Sequence, residues 1–279
     1  IMPSLVGSEM CIRDSCMTVE AEEMGAGVDM GTKIYEPHVI EYVMESVSDY
    51  EKLVPVDVTK GRAKVVTDAI RILKEETSEV PIVGNLTGPI STASSLMEPV
   101  IFYKELRKKN KEAHAYMEFV TDQLIAFGKA QIEAGADVIA ISDPSGTGEI
   151  LGPKYFKEFA VTYLNKLLEG LQTVGLGTIV HICGHMGSVY NEINEVKSSV
   201  LSFDSVVPMK EARAHLKDRV LMGNVSTYTL EFGEPERVAL LTKNCVKNGS
   251  DIISPACGLG MKSPIKNIQA ILKCLSEEA

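Results

Sequence analysis

The stretch DVIAISDPSGTGEILGPKYFKEFAVTYLNKLLEGLQTVGLGTIVHIC, residues 137–183, decides the fold. It begins with DVIAIS (137–142) and ends with TIVHIC (178–183), two short apolar runs rich in Ile and Val that are typical of buried parallel strands. Between them, apolar side chains recur at the i, i+3, i+4 spacing of a helix that packs one face on a sheet. These positions are Phe156, Phe159, Ala160, Tyr163, Leu164, Leu167, Leu168 and Leu171. Pro153 suits the first turn of that helix, so the stretch predicts a strand–helix–strand unit.

The same alternation continues on both sides of this unit. Four more strand-like runs are PIVGNL (81–86), LSFDSV (201–206), VLMGNV (220–225) and DIISPA (251–256). A second amphipathic helix carries Ala113, Tyr116, Met117, Val120, Leu124 and Phe127. Such alternation requires a parallel sheet with crossover helices, closed as a barrel or open and doubly wound. Because no G-x-G-x-x-G fingerprint follows a strand, we favour an α/β fold of the (β/α)8 TIM-barrel type with six strands visible.

The first fifteen residues, IMPSLVGSEMCIRDS, show neither helical nor strand periodicity and lead directly into CMTVEAEEMGAGVDMG (16–31). They resemble the peptide obtained when sequencing-adapter DNA is translated at the end of an assembled fragment. We therefore expect residues 1–15 to be a non-native leader that packs against nothing, in preference to a natural flexible leader. The remaining domain, residues 16–279, is then a barrel truncated at its N-terminus, which agrees with six visible strands out of eight.

Composition and charge exclude several classes of protein. Of 279 residues, 45% are hydrophobic and 24% charged, as in a globular chain without long disordered tracts. The net charge is −10, and the one basic cluster, KELRKKNK (104–111), predicts a solvated helix face, so we expect no nucleic-acid partner. No run approaches the ~18 apolar residues of a membrane span, and no secretory signal pattern opens the chain. We therefore expect a cytoplasmic protein with no membrane partner.

A histidine and two cysteines at strand ends point to a metal site. His181 and Cys183 stand two apart at the carboxyl end of a predicted strand, so both side chains point to the same side, and Gly184 then reverses the chain. Cys257 ends another predicted strand. Strand ends that are distant in sequence converge on one mouth of a barrel, which is where active sites are built. One nitrogen and two thiolates suit tetrahedral zinc and leave its fourth position open, so we predict one zinc ion per chain.

One further histidine and three further cysteines are not among the predicted metal ligands. His185 continues the spacing of His181 and Cys183, and we place it beside the metal or toward substrate, with a role as second histidine ligand left open. Cys245 and Cys274 lie in helical patterns, and Cys11 lies in the predicted leader, so we interpret all three as bystanders.

Several motifs together resemble the uroporphyrinogen decarboxylase superfamily and, within it, the methylcobamide:coenzyme M methyltransferases. The motifs are VGNLTGP, ADVIAISDPSGTGEILGP, TIVHICG, LMGNVS with the following GEPERV, DIISPACGLG, and the segment CMTVEAEEMGAGVDMG. The resemblance covers residues 16 to 279, and its specific part is the H-x-C…C zinc signature, which the decarboxylases lack. It implies a (β/α)8 barrel in which His181, Cys183 and Cys257 hold a catalytic zinc. The family's N-terminal helices and first barrel strand would precede Cys16 and are absent from this sequence.

The resemblance also implies the reaction. A methyl group moves from methyl-Co(III) of a corrinoid, carried on a separate small protein, to the thiol of coenzyme M, in methyl-compound metabolism and methanogenesis. A free thiol is mostly protonated near neutral pH, and zinc coordination converts it to the nucleophilic thiolate. Independently of the resemblance, two protein thiolates lower the Lewis acidity of zinc, which suits sulfur alkylation better than water activation.

Five further polar residues are candidates beside the metal ligands. Asp143 and Glu149 follow a strand in a Ser- and Gly-rich loop, where they orient substrate or merely cap the turn. Glu20 faces the barrel mouth in a catalytic role or is an ordinary helical carboxylate. Asn224 ends a strand and could donate to a substrate oxygen. Lys262, next to a predicted helix start, could bind a sulfonate or simply be solvated.

Three rival interpretations remain open. A uroporphyrinogen decarboxylase of porphyrin biosynthesis needs no cofactor and relies on arginines of an N-terminal segment missing here, but it has no use for the zinc signature. A corrinoid methyltransferase could use a folate or another small thiol as acceptor. A structural-zinc protein or corrinoid-binding scaffold would fill all four metal positions, for which only His185 is available nearby.

Overall fold

The computed structural model describes residues 17–32, 35–76, 80–171 and 177–278. The predicted leader, residues 1–15, lies outside the described residues together with Cys11, so its character stays a prediction. None of the described helices is both long and apolar enough to cross a bilayer.

Five parallel strands form the central sheet. They are β3 (Val83–Thr87), β4 (Val138–Ser142), β5 (Thr178–Ile182), β6 (Val200–Phe203) and β7 (Val220–Met222), and neighbours in the sheet follow the order of the chain. A short antiparallel hairpin of β1 (Gly27–Asp29) and β2 (His38–Glu41) precedes them. The predicted parallel α/β sheet is thereby confirmed.

The predicted sixth strand, 251–256, differs from the expectation. This segment runs beside β7 and is joined to it by isolated bridges, Met222 with Ile252 and Val225 with Pro255. A proline has no N–H to donate, so the ladder cannot continue regularly through Pro255. The segment thus lies where a sixth strand was predicted, but it is not a regular strand.

Helices connect the strands and cover one face of the sheet. Their bounds are α1 (Val19–Glu23), α2 (Gly61–Glu76), α3 (Pro89–Ser95), α4 (Pro99–Lys108), α5 (Asn110–Ala134), α6 (Gly148–Tyr155), α7 (Thr162–Gly170), α8 (Tyr190–Ile193), α9 (Met209–His215), α10 (Thr227–Phe232), α11 (Pro235–Lys247) and α12 (Ile265–Glu278). A 3₁₀ helix spans Val47–Lys52, and a π-helical segment, Phe156–Val161, links α6 to α7.

A helix was predicted to start at Pro153, but α6 begins five residues earlier, at Gly148. Thr147 caps α6 by accepting a hydrogen bond from the N–H of Ile150. Gly152 then adopts φ +69°, a left-handed conformation that favours glycine, and this kink lets Pro153 open a new turn. The predicted apolar face is confirmed, since its residues from Phe156 to Leu171 are buried.

The two faces of the sheet carry different side chains. Residues such as Ile141, Val180 and Phe203 pack in the main core with the helices. The inner face carries a smaller apolar cluster made of Val83, Val138, Ala140, Ile179, Met222 and Ile252. At the carboxyl ends of the strands this inner face turns polar. Thr87 pairs with Ser142, Ser142 with His181, and His181 with Ser202 in the parallel register. We call these four residues the polar layer.

Arg213 fastens the irregular segment to the sheet. Its guanidinium donates to the carbonyl oxygens of Gly249 (2.8 Å) and Arg219 (2.8 Å) and to the carboxylate of Asp251. The same carboxylate oxygen, Asp251 Oδ2, accepts the N–H of Leu221 in β7 at 2.8 Å. Arg213 and Asp251 therefore hold the start of the segment 251–256 against β7.

We predict that Arg213→Lys lowers the free energy of unfolding by about 1–3 kcal/mol, because a lysine cannot replace the planar fork that serves several acceptors at once. Denaturant unfolding measures this loss. Arg71→Lys is the matched control: Arg71 makes an exposed ion pair with Asp68, so a change within about 0.5 kcal/mol is expected. Equal effects at both positions would contradict the structural role given to Arg213.

Candidate metal centre

Three side chains converge at the carboxyl end of the sheet. His181 Nε2 lies 3.3 Å from Cys183 Sγ, and Cys183 Sγ lies 3.7 Å from Cys257 Sγ. The ligand atoms of the three residues all lie within 4.8 Å of one another. Within the described ranges, this is the one group of three or more His, Cys, Asp or Glu side chains arranged to hold a metal ion. The structure therefore brings together the three predicted ligands.

Local backbone structure explains how these side chains meet. His181 lies in β5, and Cys183 follows the strand by one residue, so the alternation of side chains directs both to the inner face. Gly184 has φ +80°, which turns the chain away directly after Cys183. Cys257 follows the segment 251–256, which Arg213 and Asp251 hold beside β7. Two parts of the strand-end edge, with β6 and β7 between them in the sheet, thus supply the cluster across 74 residues of sequence.

The orientation of the His181 ring is fixed by two contacts. Its Nε2 faces Cys183, while its Nδ1 lies 3.0 Å from the hydroxyl oxygen of Ser202. His181 is 3% exposed and Ser202 is 2% exposed, so the contact between Nδ1 and the hydroxyl is enclosed by protein. The nitrogen available to a metal is therefore Nε2.

Electrostatics favour the thiolate form in this cluster. Hydrogen bonds with Cys183 and His181 hold the pKa of the Cys257 thiol well below its usual range, although partial burial opposes this shift. A thiolate is the form of cysteine that binds metals. One imidazole nitrogen and two sulfur atoms make a donor set that fits zinc, and three protein ligands leave the fourth position of a tetrahedral ion open.

His185 and Glu149 lie next to the cluster but not in it. His185 is exposed, and its ring is not among the converging ligand atoms. Glu149, also exposed, accepts the backbone N–H of His185 through Oε2 at 3.2 Å. The same oxygen lies 2.7 Å from where a side chain on Gly184 would begin. Glu149 therefore supports the turn that follows Cys183, whereas a substrate contact by either residue stays a prediction.

Asp143 is completely buried and holds the loop after β3. Its Oδ1 accepts the N–H of Ser91 (2.8 Å) and the hydroxyl of Ser91 (2.6 Å), and its Oδ2 accepts the N–H of Ile90 (3.3 Å). Its own N–H donates to the carbonyl oxygen of His181 at 2.9 Å. Burial raises the pKa of the Asp143 carboxyl despite the opposing hydrogen bonds from Ser91. The side chain thus fixes the first turn of α3 at the end of β4, the strand next to the one that contains His181.

Glu20 is a second buried carboxyl at the same end of the sheet. Its two oxygens accept the N–H and the hydroxyl of Thr87, at 2.7 and 2.8 Å. Burial raises its pKa, while the bond from the Thr87 backbone opposes the shift. Glu20 therefore ties α1 to the polar layer, and it is not the surface carboxylate that the alternative interpretation described.

Asn224 and Lys262 are not among the three converging ligands. The amide nitrogen of Asn224 donates to the carbonyl oxygens of Asp204 and Val207, each at 2.8 Å, and its Oδ1 faces the Cys245 thiol. These contacts brace the loop after β6. Lys262 is exposed in the turn after Cys257. Substrate binding by Asn224 or Lys262 stays a prediction.

Sequence reasoning missed Ser202 and Ser91, which support the site from neighbouring elements. Ser202 lies in a run, LSFDSV, that carries only a strand signal. Its position could be found only with the register of β5 and β6, which the sequence does not display. Ser91 follows Gly88 and Pro89, whose helix-start pattern gives no indication of a partner 52 residues away.

Comparison with known proteins places this site in a family. The model of the family described as uroporphyrinogen decarboxylase (URO-D) matches residues 2–278. Methylcobamide:CoM methyltransferase MtbA of Methanosarcina acetivorans is 30% identical over 260 residues, which cover 92% of this chain and 76% of that protein. Methylcobamide:CoM methyltransferase MtaA of Methanosarcina barkeri is 31% identical over 283 residues, covering 98% of this chain and 81% of the relative.

Solved structures agree with the sequence relatives. A methyltransferase from Methanosarcina mazei superposes with a TM-score of 0.88 at 30% identity, covering 99% of this chain and 83% of the other. A B12-independent methionine synthase from a Shewanella species, at 18% identity and a TM-score of 0.63 over 92% of this chain and 76% of its own, shares the fold. These likenesses confirm the predicted barrel-type α/β class. The chain belongs to the uroporphyrinogen decarboxylase family of enzymes and, within it, is similar to the methylcobamide:CoM methyltransferases.

Proposed function

We propose that this protein is a zinc-dependent methyltransferase that moves a methyl group from a methylated corrinoid protein to the thiol of coenzyme M. The observation that carries the proposal is the convergence of His181, Cys183 and Cys257 at the barrel mouth. The similarity to methyltransferases named for methylcobamide and CoM supports the choice of donor and acceptor. A decarboxylase that works without a metal would have no use for this donor set.

The protein side chains prepare the site for a thiol. The lowered pKa of Cys257 keeps its thiolate charge present near neutral pH, and Cys183 supplies a second sulfur donor beside it. His181 contributes its Nε2 atom, whose direction is set by the contact between Nδ1 and Ser202 Oγ. When bound by these three residues, zinc lowers the pKa of a fourth ligand such as the substrate thiol. Because two sulfur donors already reduce the positive charge at such a centre, the set suits alkylation of a sulfur atom.

The methyl transfer needs no oxidant, reductant or other reactant besides the methylated corrinoid and the thiol. The thiolate sulfur of coenzyme M attacks the methyl carbon, so a sulfur–carbon bond forms while the cobalt–carbon bond breaks. The electron pair of the broken bond stays on cobalt, which leaves as Co(I). The thiol proton is lost to solvent when the acceptor binds.

The buried carboxyls act in this proposal by positioning the mouth of the barrel. Asp143 holds the start of α3 and contacts the His181 carbonyl through its backbone. Glu20 holds Thr87 at the end of β3. Lys262, exposed five residues after Cys257, provides a cation for the sulfonate of the acceptor. His185 and Glu149, exposed beside the metal ligands, face the bound acceptor.

The direct test mixes the zinc-loaded protein with methylcobalamin, as a soluble methylated corrinoid, and coenzyme M. We expect a methylated thiol to form in equal amount to the demethylated corrinoid, followed by mass spectrometry and absorbance. A folate and other small thiols are offered as alternative acceptors in parallel. Methyl transfer to the folate alone would contradict the assignment of the acceptor, and turnover of uroporphyrinogen without methyl transfer would contradict the reaction class.

We predict about one zinc ion per chain, most of which is lost in Cys183→Ala and in Cys257→Ala, because the two remaining ligands cannot hold the ion against a chelator. Elemental analysis after dialysis measures the metal content. Cys274→Ala is the matched control, since Cys274 is buried in α12 and is not in the cluster. Full zinc occupancy in both of the first two variants would exclude this site.

A second comparison separates the two histidines. His181→Ala is expected to lose zinc and His185→Ala to retain it, because only the His181 ring is among the converging ligand atoms. The same metal analysis measures both variants. Retention in His181→Ala together with loss in the double variant with His185→Ala would show that His185 replaces the missing ligand.

We predict that binding of coenzyme M near neutral pH releases about one proton, since a thiol that is mostly protonated in solution binds as a thiolate. Titration calorimetry in buffers of different ionisation enthalpy measures this proton. The release decreases as the pH rises above the pKa of the free thiol, where solution already holds the thiolate. Cys257→Ala serves as the control without metal, and binding of the thiol to the zinc-loaded protein with no proton release would contradict the mechanism.

Asp143→Asn tests the positioning role. We expect the free energy of unfolding to fall by about 1–3 kcal/mol, because an amide keeps only one acceptor oxygen, so either Ser91 on Oδ1 or Ile90 on Oδ2 loses its acceptor and faces an NH2 group. Zinc content stays unchanged, since Asp143 is not a member of the cluster. Asp218→Asn, at an exposed position, is the control for stability. Loss of zinc in a folded Asp143→Asn protein would instead indicate a direct role at the metal.

A further inference from the structure

We infer that Ser202 is the positioning residue of the metal centre: its hydroxyl accepts the Nδ1 proton of His181 and thereby presents Nε2 to the metal. This inference rests on the proposed metal site and concerns a residue that is not itself a ligand. Through Ser202, β6 takes part in metal binding, a role that its sequence does not indicate.

Geometry identifies the two ends of the imidazole ring. Nε2 lies 3.3 Å from Cys183 Sγ, and Nδ1 lies 3.0 Å from Ser202 Oγ. A histidine that gives one nitrogen lone pair to a metal keeps its proton on the other nitrogen. That proton needs an acceptor, because both residues are almost completely buried. Ser202 Oγ is at the distance and position of that acceptor.

The parallel register makes this contact a fixed property of the sheet. His181 pairs directly with Ser202 on β6, as it pairs with Ser142 on β4 on its other side. Both serines belong to the polar layer, but their hydroxyls do different things. Ser142 Oγ lies 3.5 Å from Asn85 Oδ1, whereas Ser202 Oγ lies against the imidazole ring. Ser142 is therefore a matched control for Ser202, because it pairs with the same histidine but its hydroxyl contacts Asn85.

The acceptor of the Nδ1 proton, the Ser202 hydroxyl, carries no charge. The buried carboxyls at this end of the sheet, Glu20 and Asp143, bond to Thr87 and to Ser91 with Ile90, not to the His181 ring. A neutral hydroxyl accepts the imidazole proton without adding negative charge to a centre that already contains two cysteine sulfurs.

The experiment compares Ser202→Ala, Ser202→Thr and Ser142→Ala with the unaltered protein. Zinc affinity is measured by competition with a chromophoric chelator, and the Co²⁺-substituted proteins are examined by their ligand-field and sulfur-to-cobalt absorption bands. We expect Ser202→Ala to bind zinc about 10- to 100-fold more weakly, with altered cobalt bands, because the ring loses the partner that orients it. Ser202→Thr keeps the hydroxyl and should recover most of the affinity. Ser142→Ala should match the unaltered protein in both readouts.

Thermal unfolding of the metal-free proteins separates this role from a general loss of structure. A purely structural serine would lower the unfolding temperature without changing the cobalt bands of the folded protein. Unchanged zinc affinity and an unchanged spectrum in Ser202→Ala would overturn the inference while leaving the proposed metal site intact. Equal weakening in Ser142→Ala and Ser202→Ala would also overturn it. If the unaltered protein binds neither zinc nor Co²⁺ at this site, the proposed function and the inference fail together.

Discussion

The register between β5 and its two neighbours is the constraint on which the site depends. Parallel strands that pair residue by residue carry their inner-facing side chains in rows, and one row contains Thr87, Ser142, His181 and Ser202. A shift of one residue in β5 would turn both His181 and Cys183 away from the inner face. The main core enforces the register, because the alternate residues Val180 and Ile182 are buried against the helices.

Much of this arrangement could be predicted because it follows from local periodicity. The alternation of buried strands with amphipathic helices predicted the parallel sheet, and the two-residue spacing of His181 and Cys183 predicted a shared face. Cys257 could be added because strand ends converge on one side of such a sheet. Local periodicity failed at 251–256, where the apolar pattern suggests a strand but Pro255 interrupts the ladder.

The supporting contacts could not be predicted, for a physical reason. Each joins groups that are far apart in sequence and whose approach depends on the packing of whole elements: Asp143 reaches Ser91 across 52 residues, and Glu20 reaches Thr87 across 67. A buried carboxyl and a surface carboxyl look alike in a sequence. Only the packed structure shows that Glu20 is buried and hydrogen-bonded to Thr87 of β3. Likewise, only the structure shows that the Asn224 amide donates to two carbonyl oxygens of the loop after β6.

Because Cys257 directly follows the irregular segment 251–256, a metal ion at this site would also restrain that segment mechanically. Cys183 follows a regular central strand, whereas Cys257 follows a stretch that has only isolated bridges to β7. A metal held by both would act as a cross-link that closes a loop of 74 residues and restrains its less regular end. The cross-linked loop contains β6, β7 and the helices α8 to α11, so an ion at the mouth would fasten the last part of the barrel wall to its middle.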